Sequence, residues 1–409
     1  MSATVQELNR YFLDLWGESQ TSFPDLGPFY TAQTQSQNEK GLLQFLDQVE
    51  PILANPPRSR EDAQSAKSRL GAAGRRLAGK TLGLTAQQLG LLPSQEFSNA
   101  SEEFVRKARA FDPRLGLEEI YQAGRNAWTA YGLQWLLGLP VQLTPSLFAY
   151  SMLYPYTDNY LDDPEIPRGT KLAFSERFHR RLEGEMVAPS NAQERVISSL
   201  VRIIEEEYSR TDNPAVFESL LAVHDAQTQS LHLLHRDTDP GEVDVPGITF
   251  YKGGTSVLAD GYLVGGSLTG EQIQYMYGHG IFAQLLDDLE DLEEDGRAGC
   301  LSVYSTHRGN KPIDELTNRT FHFGRRIFRG LDSFDTDESV RALIRRGADL
   351  LLIEVIGRTE RYYTSSYLHD LEEHSPYRFS FLKEQQNRFL RRYGSQGKLM
   401  ETFMFFLSF

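Results

Sequence analysis

The sequence predicts an all-α protein. Apolar residues recur every three or four positions through long stretches, which is the spacing of one face of an α-helix. Alternating patterns typical of strands are nearly absent, and Pro and Gly fall between the periodic stretches. Thr144-Pro145 is typical of a helix start, because Thr caps the helix and Pro suits its first turn. The clearest periodic stretches are residues 193–210, 215–236, 271–295 and 338–371.

Two irregular segments lie in the N-terminal quarter of the chain. Residues 17–38 are polar and rich in turn-forming residues, and we expect them to form a loop. Residues 52–66 have the composition of a linker. We therefore predict an N-terminal helical segment over residues 1–110, with this loop and linker, and a catalytic bundle of roughly ten helices over residues 111–409.

The composition narrows the classes of partner. The 409 residues are 40% hydrophobic and 24% charged, as in a globular protein with a full core. The net charge of −14 argues against nucleic acid and anionic membrane surfaces as main partners. Cys300 is the single cysteine, so no internal disulfide can form. The N-terminus lacks the features of a signal peptide, and no apolar run reaches transmembrane length. We expect a cytoplasmic protein without a transmembrane segment.

The stretch QLLDDLEDLEEDGRAG at residues 284–299 places many carboxylates directly after an apolar run. In a continuous helix Asp287, Asp291 and Asp295 lie on one face, one turn apart. Such a run is often a solvated surface face, but here the first basic residue is Arg297. Stacked like charges destabilise the helix unless a cation binds them. The candidate metal ligands in this stretch are Asp287, Asp288, Asp291 and Asp295.

The expected metal follows from the ligand atoms. All of them are hard carboxylate oxygens, which favours Mg²⁺, with Mn²⁺ or Ca²⁺ as alternatives, over Zn²⁺. An EF-hand loop beginning at Asp291 would need a bidentate Glu at its twelfth position, where this chain has Ser302. We therefore expect Mg²⁺, in more than one copy, as the cofactor.

A second acidic helix end occurs some 125 residues earlier. Asp158 and Asp162 are four residues apart and Asp163 adjoins them, after the apolar run LFAYSML. Pro164 is expected to stop this helix. Two such ends facing each other would hold several Mg²⁺ ions and a highly charged anion, for which a diphosphate is the best fit.

These motifs resemble those of the class I isoprenoid synthases. Asp158-Asn-x-x-Asp162 is similar to their first aspartate-rich motif, and Gln284-x-x-Asp287-Asp288-x-x-Asp291 to the second motif of the trans-prenyl diphosphate synthases. The segment AQTQSL at 226–231 is similar to a Gly-Gln-x-x-Asp-Leu helix, with Ser230 replacing the Asp. YKGGTSVLADGYLVGG at 251–266 resembles the Lys-Thr-containing helix. The resemblance covers about residues 140–305, with matching order and approximate spacing.

The resemblance implies a fold, a reaction and a set of site residues. It implies an isoprenoid-synthase-type helical bundle around a central metal-lined cavity, in which a linear prenyl diphosphate is ionised. The implied catalytic aspartates are Asp158, Asp162, Asp287 and Asp291, with Asp163, Asp288 and Asp295 as further metal ligands. The implied diphosphate ligands are Lys252, Arg297, Arg358, Arg361 and Tyr362. Arg361-Tyr362 lies near where terpene synthases carry a diphosphate-binding Arg-Tyr pair.

The departures from the family pattern favour a terpene synthase. Chain-elongating members carry a Gly-Lys-Arg segment before the first motif, and GRRLAGK at 74–80 matches it poorly. The segment from Leu285 to Ser305 also resembles the bacterial large terpene synthases of the tetraprenyl-β-curcumene synthase group. We therefore expect a hydrocarbon or alcohol product. A chain-elongating or head-to-head prenyltransferase and a non-catalytic helical scaffold remain alternatives, and the oligomeric state, including a homodimer, is left open.

A carbocation intermediate needs a dry pocket with aromatic walls. The residues one or two turns before Asp158 should bound that pocket, because a helix presents them on the same side as the aspartate. We expect Tyr150, Leu153 and Tyr154 to take this role, with Tyr150 the deeper of the two tyrosines.

Overall fold

The computed structural model confirms the all-α prediction. It describes residues 3–55, 59–85, 88–89, 95–163, 165–234, 242–307 and 311–393, which form sixteen α-helices and no strand. These are α1 (Ala3–Gly17), α2 (Ala32–Ala54), α3 (Arg60–Leu82), α4 (Gln95–Phe111), α5 (Leu117–Leu136), α6 (Pro145–Asp162), α7 (Arg168–Leu182), α8 (Ala192–Glu207), α9 (Pro214–Ser230), α10 (Val245–Gly265), α11 (Gly270–Glu290), α12 (Leu292–Ala298), α13 (Asp314–Phe328), α14 (Glu338–Arg358), α15 (Ser365–Glu372) and α16 (Phe379–Tyr393). Within these described ranges, no helix is both long and apolar enough to cross a membrane.

The chain divides into two compact units that interleave along the sequence. The first unit comprises Met1–Pro24 and Arg125–Thr336, and the second comprises Asp25–Gly124 and Asp337–Phe409. The boundary therefore falls inside α5, between Gly124 and Arg125. The division that we expected near residue 110, between a helical segment and a catalytic bundle, stays a prediction.

Two segments that we expected to be irregular are largely helical. The expected loop over residues 17–38 ends early, because α2 begins at Ala32. Thr31 caps that helix, and its hydroxyl accepts a hydrogen bond from the backbone N–H of Thr34 at 3.2 Å. The expected linker over residues 52–66 is also wrong for most of its length. Ser59 caps α3 in the same way, so that the residues between Ala54 and Arg60 are all that separates the two helices.

The helix start expected at Thr144-Pro145 is confirmed. Thr144 is the N-cap of α6, and its hydroxyl accepts a hydrogen bond from the backbone N–H of Leu147 at 3.2 Å. Pro145 occupies the first turn, where its missing N–H leaves no helical hydrogen bond unmade. This capping fixes where α6 begins. It thereby fixes which turn carries the aspartates near the end of α6.

The core of the first unit is built on a close crossing of α10 and α11. A Cβ on Gly253 would lie 2.5 Å from the carbonyl oxygen of Gly280 and 2.6 Å from Cβ of Gln284. The neighbouring Gly254 lies against the ring of Tyr277 in the same way. The two backbones therefore touch without side chains between them. Around this crossing α10 also packs against α1, α6 and α9.

The crossing sets the positions of the polar side chains beside it. Lys252 immediately precedes Gly253 on α10, while Gln284 lies one turn beyond Gly280 on α11 and Asp287 two turns beyond it. Because the glycines bring the two backbones into contact, the lysine and the acidic end of α11 lie close together. The Gly-Gly pair after Lys252 in the sequence is thus explained by packing.

The second unit has its own buried ion pair. Glu39 on α2 is 6% exposed, and its two carboxylate oxygens accept hydrogen bonds from Nε and Nη2 of Arg378 at 2.8 and 2.5 Å. These hydrogen bonds lower the pKa of Glu39 below its ordinary value. The bidentate pair ties α2 to the residue before α16.

We predict that Gly253→Ala destabilises the protein. The added methyl group meets the backbone of α11, which cannot rotate away, and overpacking of this kind costs about 1–3 kcal/mol. Urea unfolding of the variant and the wild type measures the difference. Gly132→Ala in α5 is the matched control, because its Cβ meets no atom within 4 Å, and we expect it to be neutral or stabilising. Equal destabilisation by both changes would contradict the close crossing.

Candidate functional site

The acidic stretch at the end of α11 is not one continuous helix. The helix ends at Glu290, Asp291 has φ −87° and ψ 4°, and α12 begins at Leu292. The helical hydrogen bonds nevertheless continue across the junction. The N–H of Asp291 donates to the carbonyl of Asp287 at 2.9 Å, and the N–H of Asp295 donates to that of Asp291 at 2.9 Å. The expected spacing of one turn between the three aspartates is retained, although a continuous helix was wrong.

Asp288 is the most deeply buried carboxylate of this stretch. It is 9% exposed, and Oδ1 accepts a hydrogen bond from Nε2 of Gln284 at 2.8 Å. Its Oδ2 atom is buried without a hydrogen-bond partner among the described residues. Burial raises the pKa of Asp288 to about 7, against the opposing influence of Gln284 and Lys252. The nearby carboxylates of Asp295 and Asp287 raise it further.

Asp287 and Asp291 are held in the same environment. The side chain of Asp287 keeps 53% of its accessible surface, yet the protein around it raises its pKa by displacing bulk water. Asp291 also has a raised pKa, first through lost hydration and then through the charges of Asp287, Glu290 and Glu294. Accessible carboxylates that are poorly hydrated and mutually repelling form a site with a strong demand for positive charge.

Two basic residues meet this demand in part. Lys252 on α10 is half-buried and lowers the pKa of both Asp287 and Asp288. On α5, Nη2 of Arg125 lies 3.6 Å from Oδ1 of Asp287. Arg125 was missed by the sequence analysis, although one signal for it exists. It is the only basic residue between Arg114 and Arg168, inside an otherwise apolar helical stretch.

Hydrogen bonds fix how α6 lies along α10. The hydroxyl of Tyr154 lies 2.8 Å from Oγ of Ser256. Deeper in the unit, Nδ2 of Asn126 on α5 donates to Oγ of Ser151 at 3.1 Å and to Oδ1 of Asp260 at 3.0 Å. As the numbering rises along α6 it therefore falls along α10, so the two helices run antiparallel.

This register places both acidic helix ends at the same level. Asp158 lies one turn beyond Tyr154 on α6, and Lys252 lies one turn before Ser256 on α10. Because the helices are antiparallel, Asp158 is carried to the level of Lys252, beside which Asp287 lies. The space bounded by α5, α6, α10 and α11 is called the cleft below. Its acidic end carries Asp158, Lys252 and Asp287.

The first aspartate-rich motif closes α6. Asp158 is half-buried, and its Oδ1 accepts a hydrogen bond from Oγ1 of Thr157 at 3.0 Å. The helix ends at Asp162, whose side chain lies outside what the structure describes. Asp163 follows in an extended conformation, and its Oδ1 accepts from the N–H of Glu165 at 2.9 Å. The expected helix end is confirmed, with Pro164 itself outside the described residues.

The donor chemistry of the acidic end fits a hard divalent cation, while the geometry is not that of a closed metal site. The donors available are carboxylate oxygens, including the buried Oδ2 of Asp288, and these suit Mg²⁺. Among the described side chains no group of three or more His, Cys, Asp or Glu is arranged to hold a metal ion. The residues present thus suit a cation that is completed by ligands from a bound anion and water, as is usual for Mg²⁺.

Four of the expected diphosphate ligands are placed apart from Lys252 in the fold. Arg297 on α12 forms an exposed ion pair with Glu293, one turn before it. Arg358 is the last residue of α14 in the second unit. Arg361 follows in the same unit, where it donates to the hydroxyl of Tyr362 at 2.7 Å and lies 4.7 Å from the centre of that ring. Their role in binding diphosphate stays a prediction.

The residues expected to bound the pocket lie along the inner side of α6. Tyr150 is 3% exposed and Leu153 is 5% exposed, whereas Tyr154 is half-buried. The rings of Tyr150 and Tyr154 pack edge to face with their centroids 5.8 Å apart. Burial and the nearby Asp260 and Asp158 raise the pKa of both tyrosines, so their hydroxyls stay neutral.

No family model, curated protein or solved structure matches the chain. The reading of this site therefore depends on the motifs in the sequence and on the packing that gathers them.

We predict that the stability of the metal-free protein falls as pH rises through the pKa of Asp288. The pKa is raised to about 7 in the folded state, so the folded chain binds a proton between about pH 4 and 7 that the unfolded chain releases. In Asp288→Asn this contribution is removed. In EDTA at pH 8 the variant should be more stable than the wild type, on the order of 2–4 kcal/mol.

Urea unfolding between pH 5 and pH 8 checks this expectation. Asp212→Asn, at an exposed position of the first unit, is the control and should follow the wild type. Parallel pH profiles for the wild type and Asp288→Asn would contradict the buried, proton-binding carboxyl.

Proposed function

We propose that this chain is a Mg²⁺-dependent terpene synthase that ionises a linear prenyl diphosphate, releases diphosphate and forms a terpene hydrocarbon or alcohol. The observation that carries the proposal is the meeting of Asp158, Lys252 and Asp287 at one end of a cleft. Basic and acidic groups alternate there, which suits a diphosphate bound through metal ions and directly through cations. The aspartate motifs support the proposal independently.

The basic residues bind the diphosphate in this proposal. Lys252 lies beside the acidic end of α11 and carries a point charge that suits a phosphate oxygen. Arg125 makes only a long, exposed contact with Asp287 at 3.6 Å, so it can turn to an incoming anion at little cost. Both cations stabilise the negative charge that grows on the diphosphate as the carbon–oxygen bond breaks.

The aspartates would hold the metal. Asp287, Asp288 and Asp291 would bind Mg²⁺ from the α11 side and Asp158 from the α6 side, with Asp162 and Asp163 as the further ligands proposed there. When bound, Mg²⁺ supplies positive charge that makes diphosphate a good leaving group. The raised pKa of Asp288 means that this carboxyl must lose a proton as a cation binds.

The side chains beyond the acidic end shape the pocket for the hydrocarbon. Tyr150 and Tyr154 present aromatic rings on the inner side of α6, and their hydroxyls are bound to Ser256 or stay neutral. An aromatic ring stabilises a nearby cation by about 1–2 kcal/mol when water is excluded. These walls would therefore guide the carbocation while limiting its contact with bulk solvent.

The test of the function is an incubation of the full chain with Mg²⁺ and prenyl diphosphates of increasing length. Released diphosphate is measured enzymatically, and organic extracts are analysed by mass spectrometry. A hydrocarbon or alcohol with the carbon number of the substrate is expected. A longer diphosphate would instead indicate a chain-elongating prenyltransferase, a product of twice the carbon number head-to-head condensation, and no turnover a non-catalytic scaffold.

We predict that Asp287→Asn and Asp158→Asn each reduce turnover by more than ~100-fold in saturating Mg²⁺, because each removes a charge that stabilises the transition state. The steady-state rate of diphosphate release measures the effect. Asp212→Asn at an exposed position should retain the rate of the wild type. Full activity of the double variant, with both site aspartates replaced, would disprove the assignment.

A separate prediction concerns ligand binding in the absence of turnover. Mg²⁺ together with inorganic diphosphate should raise the melting temperature, because ligands that bind only the folded state stabilise it. Either component alone should do much less, since the acidic end repels the bare anion and holds the metal incompletely. Lys252→Met should weaken the joint effect. An equal shift from Mg²⁺ alone would instead point to a preformed metal site.

A further inference from the structure

A second buried carboxyl lies two turns deeper along α10 than Lys252. Asp260 is 1% exposed, and its Oδ1 accepts a hydrogen bond from Nδ2 of Asn126 at 3.0 Å. Its Oδ2 atom is buried and has no hydrogen-bond partner among the described residues. A buried polar atom in this condition costs on the order of 1–3 kcal/mol unless a ligand satisfies it. The metal and diphosphate ligands proposed above do not reach this position.

The partner of Asp260 determines what its free oxygen can do. Both hydrogens of the Asn126 amide are used, one by Oγ of Ser151 and one by Oδ1 of Asp260. Oδ1 therefore acts as an acceptor, and a proton on this carboxyl must sit on Oδ2. Burial raises the pKa of Asp260 well above its ordinary value, so the neutral acid prevails at pH 7. Oδ2 is thus a hydrogen-bond donor.

The surroundings of this donor are polar and partly open. Asn126, Tyr154 and Ser256 all face a neighbouring helix through hydrogen bonds, yet each is only half-buried. Some space therefore remains between α5, α6 and α10. Ser256 lies one turn, or roughly 6 Å, from Asp260 along α10. A small molecule between them would meet the Oδ2 donor at one side and hydroxyl oxygens at the other, which are enough partners for a bound water.

We propose that Asp260 holds a water molecule at the inner end of the cleft, and that this water captures the carbocation so that the product is a terpene alcohol. The inference rests on the proposed function and specifies its product class. Asp260 lies roughly 12 Å along α10 from Lys252, where the diphosphate would bind. Capture therefore takes place on the part of the prenyl chain that is distant from the carbon that carried the diphosphate.

The step balances in atoms and charge. A lone pair of the water oxygen forms a carbon–oxygen bond with the cationic carbon, which gives a protonated alcohol. One proton then leaves through the hydroxyls of Ser256 and Tyr154, which lie towards the Lys252 end, to the released diphosphate. Asp260 keeps its own proton throughout and orients the water by donating a hydrogen bond.

The test follows oxygen from labelled water into the product. The full chain is incubated with Mg²⁺ and a prenyl diphosphate in H₂¹⁸O, and both released diphosphate and extracted products are measured. The wild type should give an alcohol with one ¹⁸O atom on a carbon remote from the former diphosphate carbon. Label on that former carbon alone would indicate simple hydrolysis and would overturn the proposal.

Variants of Asp260 separate a water-holding role from other roles. Asp260→Leu removes the donor, and the alcohol share should fall about tenfold in favour of hydrocarbon, the worth of one hydrogen bond. Asp260→Asn should keep most of the alcohol, because its amide also donates at this position. Thr255→Val is the control on the same helix, since the hydroxyl of Thr255 is bound to the carbonyl of Tyr251 at 2.7 Å.

The outcomes distinguish this inference from the function on which it rests. Diphosphate release with purely hydrocarbon products overturns the water site and leaves the synthase standing. No diphosphate release from any prenyl diphosphate overturns both. An unchanged alcohol share in Asp260→Leu also overturns the water site. If Asp260→Leu does not fold, Ser256→Ala replaces it, and an unchanged alcohol share in that variant overturns the proposed proton path and water site together.

Discussion

The contact between Gly253 and Gly280 is the constraint on which the rest of the first unit depends. Helix–helix distances are normally set by interleaved side chains, but here two backbones meet directly. The immediate neighbours of such a contact have little freedom to move, since any shift separates or overlaps main-chain atoms. Lys252 and Gln284 are such neighbours. Their positions are consequently fixed by the backbone and do not depend on the conformations of long side chains.

The charges of the site add a second constraint that opposes folding. Asp287, Asp288 and Asp291 all have raised pKa values, so the folded chain holds carboxyls in an environment that water would favour less. A close-packed crossing that is stable by itself can carry such a group of repelling side chains. In physical terms, the glycine contact supplies stability and the acidic end uses part of it to prepare a site for cations.

Sequence patterns predicted the features that depend on local chemistry. The all-α class, the cap at Thr144 and the acidic end of α6 all follow from short-range rules, and the structure has them. The same rules failed where capping outweighs composition, as at Ser59, which begins a helix inside an expected linker. The role of Arg125 depends on a helix far away in sequence, and no local pattern encodes that contact.

The junction at Asp291 makes the spacing of the acidic end a question of angular phase. Each residue advances an α-helix by about 100° around its axis, so a single-residue insertion between Glu290 and Leu292 would turn α12 by about that angle. Asp295 would then leave the side on which Asp287 lies. An insertion of a whole turn would restore the orientation while moving Asp295 along the axis. Length variation at this junction is therefore filtered by rotation more strongly than by distance.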